Sequence, residues 1–299
     1  MIRILCLEGG GKKGAITTSA LKNIDQWLNN KNGESVQDYF DFIIGQSVGG
    51  ILAAALACGK TPKFMNDNFK NICEQGFNRN LKTIFTPGKY SHEYMRNALS
   101  DIIPPSKKMK DSDKFNLGVG AINKDADPDK NVMFTKINAP NRNILDIVQF
   151  SYAAPYYFGY KFDPVTEKTY ADAGIGIHNT PIFESLNMIS EQFPEYYNEK
   201  KKIVSLGTGN NYKEGNAKNF GSIREGIDYL GIAKEQAEDT QVRFIENFAK
   251  QLKTKLYHFD VHIEEKYDKL DKSSYDYYQD KGNEMSEKMK EIGIGNILH

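Results

Sequence analysis

Cysteine and tryptophan are scarce, at three and one in 299 residues. Cys6, Cys58 and Cys73 are odd in number and lack the close spacing of metal ligands, so neither a disulfide framework nor a zinc site is indicated. Cys6 lies in an apolar strand-like run and Cys58 in a helical one, so buried free thiols in a reducing, cytoplasmic setting are expected. An excess charge of either sign is also missing. Thirty-nine Lys and Arg balance 39 Asp and Glu, so no global field gathers nucleic acid or an anionic bilayer. No nucleic-acid partner is expected, and contact with lipid has to come from a local surface. Long hydrophobic runs are lacking too. Only Phe42–Gly59 is uncharged for long enough to consider, and Gln46, Ser47 and the glycines at 45, 49, 50 and 59 divide it into strand, turn and helix. A span needs about 20 predominantly apolar residues. The apolar part of the opening MIRILCLEGGG is short for a signal peptide.

What is present alternates. Ile2–Leu7 reads as a buried strand ended by Gly9-Gly10-Gly11, and a helical face of Ile16, Ala20, Leu21, Ile24, Trp27 and Leu28 follows. Tyr39–Gly45 reads as a second strand and Val48–Cys58 as a second helix, with Gly59 placed to cap it. Strands are expected at Phe115–Ile122, Val132–Phe134, Lys168–Ala171 and Lys201–Leu206, with a helix over Ile144–Ala153. Such alternation predicts an α/β fold, a mainly parallel central sheet between helical layers. A single domain over 1–299 is expected. The polar segment 61–113 reads as a helical cap or lid within it. The charged, tyrosine-rich stretch 232–299 reads as an extension packed on the core, with a late strand at Leu256–Ile263.

Three motifs carry chemistry. Gly45-Gln46-Ser47-Val48-Gly49 is a G-x-S-x-G between an apolar strand and an apolar helix, the context of a nucleophile on a tight strand-to-helix turn. There the serine oxygen sits at a helix N-terminus, which favours developing negative charge. Gly9-Gly10-Gly11-Lys12-Lys13-Gly14 follows the first strand, and its backbone N–H groups are free to turn toward an oxyanion. The same glycines fit a dinucleotide fingerprint, but that needs an acidic residue near the end of the next strand, and Glu34 precedes that strand. A P-loop fails because Ala15 stands where its lysine belongs. Asp125–Asp129 begins like a calcium loop, yet Lys130 and Lys136 occupy the positions of its glycine and glutamate.

A serine hydroxyl needs a base. Of the five histidines, His92 and His299 read as exposed, and His258 and His262 as the polar face of the late strand. His178 follows Asp172 by six positions and is the triad candidate. Asp172, in Asp172-Ala173-Gly174, is the alternative as a direct base. That role asks for burial or hydrogen bonding that lifts its pKa from about 3.9.

Together these residues resemble the patatin-like phospholipases, in which a G-G-G-x-[K/R]-G loop, a G-x-S-x-G elbow and a D-G-[G/A] occur in this order. Ser151-Tyr152-Ala153-Ala154-Pro155-Tyr156-Tyr157-Phe158, His178-Asn179-Thr180-Pro181 and Ser205-Leu206-Gly207-Thr208-Gly209 extend the resemblance. It implies a three-layer α/β/α fold and a lipid acyl hydrolase of phospholipase A type. Ser47 would be the nucleophile and Asp172 the proton acceptor. Gly9, Gly10, Gly11, Lys13 and Gly14 would form the oxyanion and substrate loop, with Gly45 and Gly49 framing the elbow. No metal or other cofactor is implied. The implied partner is a phospholipid or other acyl lipid, met by peripheral contact with a membrane. Two departures from the pattern stand out: Glu8 in place of aspartate, and Ala173 in place of a glycine that a positive φ would require. An esterase or thioesterase triad through His178 and a catalytically silent lipid-binding scaffold are the competing readings. Oligomeric state leaves no mark in the sequence.

Overall fold

The computed structural model describes residues 1–79, 88–174, 178–211, 236–269, 271–293 and 298. Its first strand shows how the chain builds its layers. In β1 (Ile2–Leu7), Leu5 and Leu7 enter one apolar cluster while Ile2, Ile4 and Cys6 enter another on the opposite face. Side chains alternate along a strand, so a continuous apolar run fits only where both faces are covered. β2 (Phe42–Gln46) repeats the pattern, with Ile43 on one side and Phe42 and Ile44 on the other.

The other strands are β3 (Asn116–Asn123), β4 (Lys130–Phe134), β5 (Lys161–Asp163), β6 (Lys168–Ala171), β7 (Lys201–Leu206) and β8 (Thr254–Phe259). They form one sheet in the order β5-β6-β3-β2-β1-β7-β8, with β4 on β3. The pairs β3–β2, β2–β1, β1–β7 and β7–β8 are parallel, and β4, β5 and β6 pair antiparallel at one side. The α/β, mainly parallel architecture expected from the alternation is present.

The helices are α1 (Gly14–Asn32), α2 (Val36–Tyr39), α3 (Val48–Ala57), α4 (Pro62–Gly76), α5 (His92–Ser100), α6 (Ile144–Ser151), α7 (Ile182–Gln192), α8 (residues 236–247) and α9 (Tyr275–Glu291). The larger core lies under α1, α3, α4, α5, α6 and α9, and the smaller one under α7 and α8. α1 stops at Gly33, whose φ of 68° is the left-handed cap glycine favours. α9 crosses α1 so closely that a Cβ on Gly282 would stand 2.4 Å from the Ile16 carbonyl oxygen.

Two boundaries differ from the sequence reading. The stretch expected to begin a strand at Tyr39 is first a helical turn, α2. Ser35 caps it by accepting from Asp38 N–H, while the Asp38 carboxylate accepts from Ser35 N–H. The late strand ends at Phe259 rather than Ile263, because the Asp260 carboxylate takes the N–H groups of Gly209 and Val261. His262 therefore lies beyond β8 and shares no strand face with His258.

Candidate active site

Ser47 is the single residue between β2 and α3 and has φ 53° and ψ −125°. A non-glycine residue held there costs about 1–3 kcal/mol. Its backbone is fixed from both sides: Ser47 N–H donates to Ser151 Oγ at 2.9 Å, and Ser47 C=O accepts from Ile51 N–H at 3.1 Å. Close approach explains the flanking glycines. A Cβ on Gly49 would sit 2.1 Å from the Leu7 carbonyl oxygen, and one on Gly45 would sit 2.1 Å from that of Gly49.

Asp172 follows the last residue of β6, and its N–H donates to Ala153 C=O at 3.1 Å. β6 lies beside β3, and β3 beside β2, so the sheet order carries this aspartate to the elbow. Ser47 Oγ donates to Asp172 Oδ2 at 2.6 Å, and Gly174 N–H donates to Oδ1 at 2.6 Å. Asp172 is buried, and burial lifts its pKa to about 7 against the pull of both hydrogen bonds. Ala173 is not in the positive-φ region, so alanine carries no backbone strain where the resemblance suggested it would.

The glycine loop meets the elbow directly. A Cβ on Gly9 would lie 2.9 Å from Ser47 Cβ and 2.7 Å from Asn179 Oδ1. Thr208 Oγ donates to Gly9 C=O at 2.8 Å, which ties the loop to the end of β7. Gly10 precedes a single 3₁₀ turn over Gly11–Lys13, and Gly14 begins α1. Lys13 is buried; its Nζ donates to Gly209 C=O at 3.2 Å and to Asp268 at 2.5 Å. It clamps the loop to the C-terminal segment.

From Ser47, Asp172 and Gly11 an apolar pocket runs between the helices. Ile51, Met65, Phe69, Ile72, Phe77 and Met95 form its walls. Tyr157 and Phe158 also line it, whereas Tyr156 and Tyr160, 53% and 54% exposed, do not. Cys73 lies in the wall, its thiol pushed up to about 12 by burial.

The sequence profile described as Patatin-like phospholipase matches residues 5–186. The chain belongs to the patatin-like phospholipase family. It is 30% identical over 230 residues to a cGAMP-activated phospholipase of Vibrio cholerae, with 69% of this chain and 64% of that one covered. A cGAMP-activated phospholipase of Escherichia coli is 26% identical, covering 70% and 62%. Patatin-12 of Solanum tuberosum is 26% identical, covering 71% and 61%. The chain thus spans less than two thirds of the length of these relatives.

In this patatin-like chain the described histidines make their hydrogen bonds away from the serine. His178 Nδ1 is 2.8 Å from Glu184 Oε1, and among the described residues no histidine hydrogen-bonds Ser47 or Asp172. His92 is half-buried rather than exposed. Its Nε2 meets Gly159 C=O and its ring packs on Tyr152 and Phe158, and burial lowers its pKa to about 4. His299 lies outside the described residues.

The sequence reading marked Glu8 only as a departure from the family's aspartate and gave it no role. This fully buried carboxylate accepts from Thr180 Oγ at 2.9 Å and from Asn179 Nδ2 at 3.3 Å, bracing the loop that follows Asp172 against the start of the glycine loop. His258 lies between Glu8 and Glu238, 3.8 and 2.8 Å away. Burial pulls its pKa down, but the two carboxylates outweigh that and raise it to about 9, so an imidazolium bridges them. Among the described residues these three bring ligand atoms within 4.8 Å of one another, as a cation site would, and the imidazolium already offsets one of the two carboxylate charges. Only the apolar alternation around His258 was visible in sequence.

Proposed function

We propose that the chain is a lipid acyl hydrolase of phospholipase A type, working through Ser47 and Asp172. The observation that carries this reading is the 2.6 Å Ser47–Asp172 hydrogen bond at the end of an apolar pocket. As Ser47 Oγ bonds to the acyl carbon, its proton passes to Asp172 Oδ2. A base with a pKa near 7 is about half ionised at neutral pH and still basic there. The N–H groups of the Gly10–Gly11 loop stabilise the oxyanion, a contribution of about 3 kcal/mol per donor. The C–O bond to the alcohol then breaks and Asp172 returns its proton to the leaving oxygen. Water attacks the acyl-enzyme and gives its proton to the same carboxylate. The acyl C–Oγ bond then breaks, Asp172 returns that proton to Ser47 Oγ, and the fatty acid leaves. Lys13 holds the loop in place through Asp268 and Gly209.

The apolar pocket suits an acyl chain, and Met65, Phe69, Ile72 and Met95 reach it from α4 and α5. On this basis segment 61–113 serves as the cap. Among the described residues no helix is long and apolar enough to cross a membrane. Tyr156, Tyr160, Phe162 and Val165 stand exposed in the run that also lines the pocket, which supports peripheral contact with a bilayer. A triad through His178 is not favoured, since that ring is turned to Glu184. The silent-scaffold reading loses its motive with the relaxed backbone at Ala173.

The test is hydrolysis of phospholipid and of short acyl esters by wild type, Ser47→Ala, Asp172→Asn and His178→Ala. The first two variants should lose nearly all turnover and the third little. Wild-type turnover in Ser47→Ala or Asp172→Asn would end this reading.

A further inference from the structure

Asn179 reaches the dyad from the loop that follows Asp172. The residue is buried, at 2% exposed, and its side-chain oxygen lies against the reacting groups. A Cβ on Gly9 would stand 2.7 Å from Asn179 Oδ1 and 2.9 Å from Ser47 Cβ. One on Gly174 would stand 3.3 Å from Oδ1, 2.7 Å from Ser47 Cβ and 2.9 Å from Asp172 Oδ1. A side chain at either glycine would fill the space that the amide, the serine and the aspartate share.

The oxygen and nitrogen of a side-chain amide have the same shape, so their neighbours decide which one faces the dyad. Here Glu8 decides. An ionised carboxylate only accepts, and Asn179 Nδ2 donates to Glu8 Oε2 at 3.3 Å. Glu8 is itself held from two other directions. Thr180 Oγ donates to Oε1 at 2.9 Å, and Nδ1 of the His258 imidazolium lies 3.8 Å from the same oxygen. The amide is thereby turned so that an acceptor, Oδ1, faces Ser47 and Asp172. Among the described residues nothing donates to that oxygen.

An acceptor beside the dyad distinguishes the molecules that can attack the acyl-enzyme. One O–H of the attacker must face the Asp172 carboxylate, which takes the proton as the new C–O bond forms. Water has a second O–H left over and an alcohol has none. We propose that Asn179 is a catalytic residue of deacylation, its Oδ1 holding the hydrolytic water so that the chain releases fatty acid instead of passing the acyl group to an alcohol. This rests on the Ser47–Asp172 hydrolase reading above. In the step, the water oxygen bonds to the acyl carbon and its first proton goes to Asp172. The second proton stays on that oxygen, hydrogen-bonded to Asn179. The C–Oγ bond then breaks, and Asp172 hands its proton to Ser47 Oγ. Glu8 does not touch the water and is a positioning residue, acting through the amide it orients.

The experiment is turnover of a short p-nitrophenyl ester in buffer containing a fixed share of methanol, with the Ser47→Ala background subtracted. Methyl ester and fatty acid then come from one acyl-enzyme. Their ratio depends on deacylation alone, so slower acylation or a partly unfolded sample leaves it where it was. Asn179→Leu keeps the size of the side chain and removes the acceptor. The ratio of methyl ester to fatty acid should rise about tenfold over wild type, the scale of losing one positioning contact on a reactant. Glu8→Gln lets the amide turn over, and should move the ratio the same way by a smaller factor without adding apolar surface at the dyad. Should Asn179→Leu not fold, Asn179→Ala takes its place. A wild-type ratio in the Asn179 variant would overturn the proposal. A rise with Asn179→Leu and none with Glu8→Gln would remove the part assigned to Glu8. An unmoved ratio beside active wild type leaves the hydrolase reading standing, whereas wild type that forms neither product removes both.

Discussion

Replacing Asp172 by asparagine should destroy activity and raise stability, and the two effects should share one pH window. Burial lifts the Asp172 pKa from 3.8 to about 7. The folded state therefore keeps the proton longer than the unfolded chain does. The favourable contribution of this group is complete below pH 3.8 and is lost as pH rises toward 7. A displacement of about 3, at about 1.4 kcal/mol per pH unit, sets a ceiling of about 4 kcal/mol on that loss. Asparagine does not titrate and can still accept from Gly174 N–H. In urea unfolding, Asp172→Asn should thus gain on wild type by up to about 4 kcal/mol between pH 4 and pH 8. Catalysis reports the same proton. Only the ionised carboxylate accepts from Ser47, so kcat/KM on a short ester should be flat above pH 7 and fall tenfold per pH unit below it, reaching about one hundredth at pH 5. A rate that stays level from pH 8 to pH 5 would refute the argument. So would a stability difference that does not change with pH.

Other outcomes follow from the same geometry. Ser47→Gly should abolish ester hydrolysis while stabilising the fold by about 1 kcal/mol in thermal melts, because glycine adopts φ 53° without strain. Gly49→Ala should destabilise by about 1–3 kcal/mol or more, since its Cβ would meet backbone at 2.1 Å, and little folded protein should be recovered by size exclusion. His258 has a folded pKa raised to about 9, so its contribution is full below pH 6.5 and lost as pH rises through 9. Urea titrations should show this slope in wild type and not in His258→Gln. Ser151→Ala leaves the buried Ser47 N–H without its partner, which should cost about 1–3 kcal/mol in thermal melts, and kcat on a short ester should fall by about tenfold.

The sequence by itself determined what is local. The alternation of strand and helix, the elbow around Ser47 and the glycine-rich turn are set by spacing along the chain. Side chains two or about 3.6 positions apart share a face whatever lies around them. Where a local competitor was strong, the reading slipped: the Ser35–Asp38 capping box made a helical turn before β2, and the Asp260 carboxylate ended β8 early. The motif also named Asp172, but not its surroundings. Its meeting with Ser47, 125 positions away, depends on β6 pairing beside β3 and β3 beside β2. The desolvation that makes it basic and the Glu8–His258–Glu238 bridge arise the same way. Only tertiary structure decided these, because a group's dielectric surroundings and charge partners are supplied by segments far away in the chain, and no local pattern records which segments arrive.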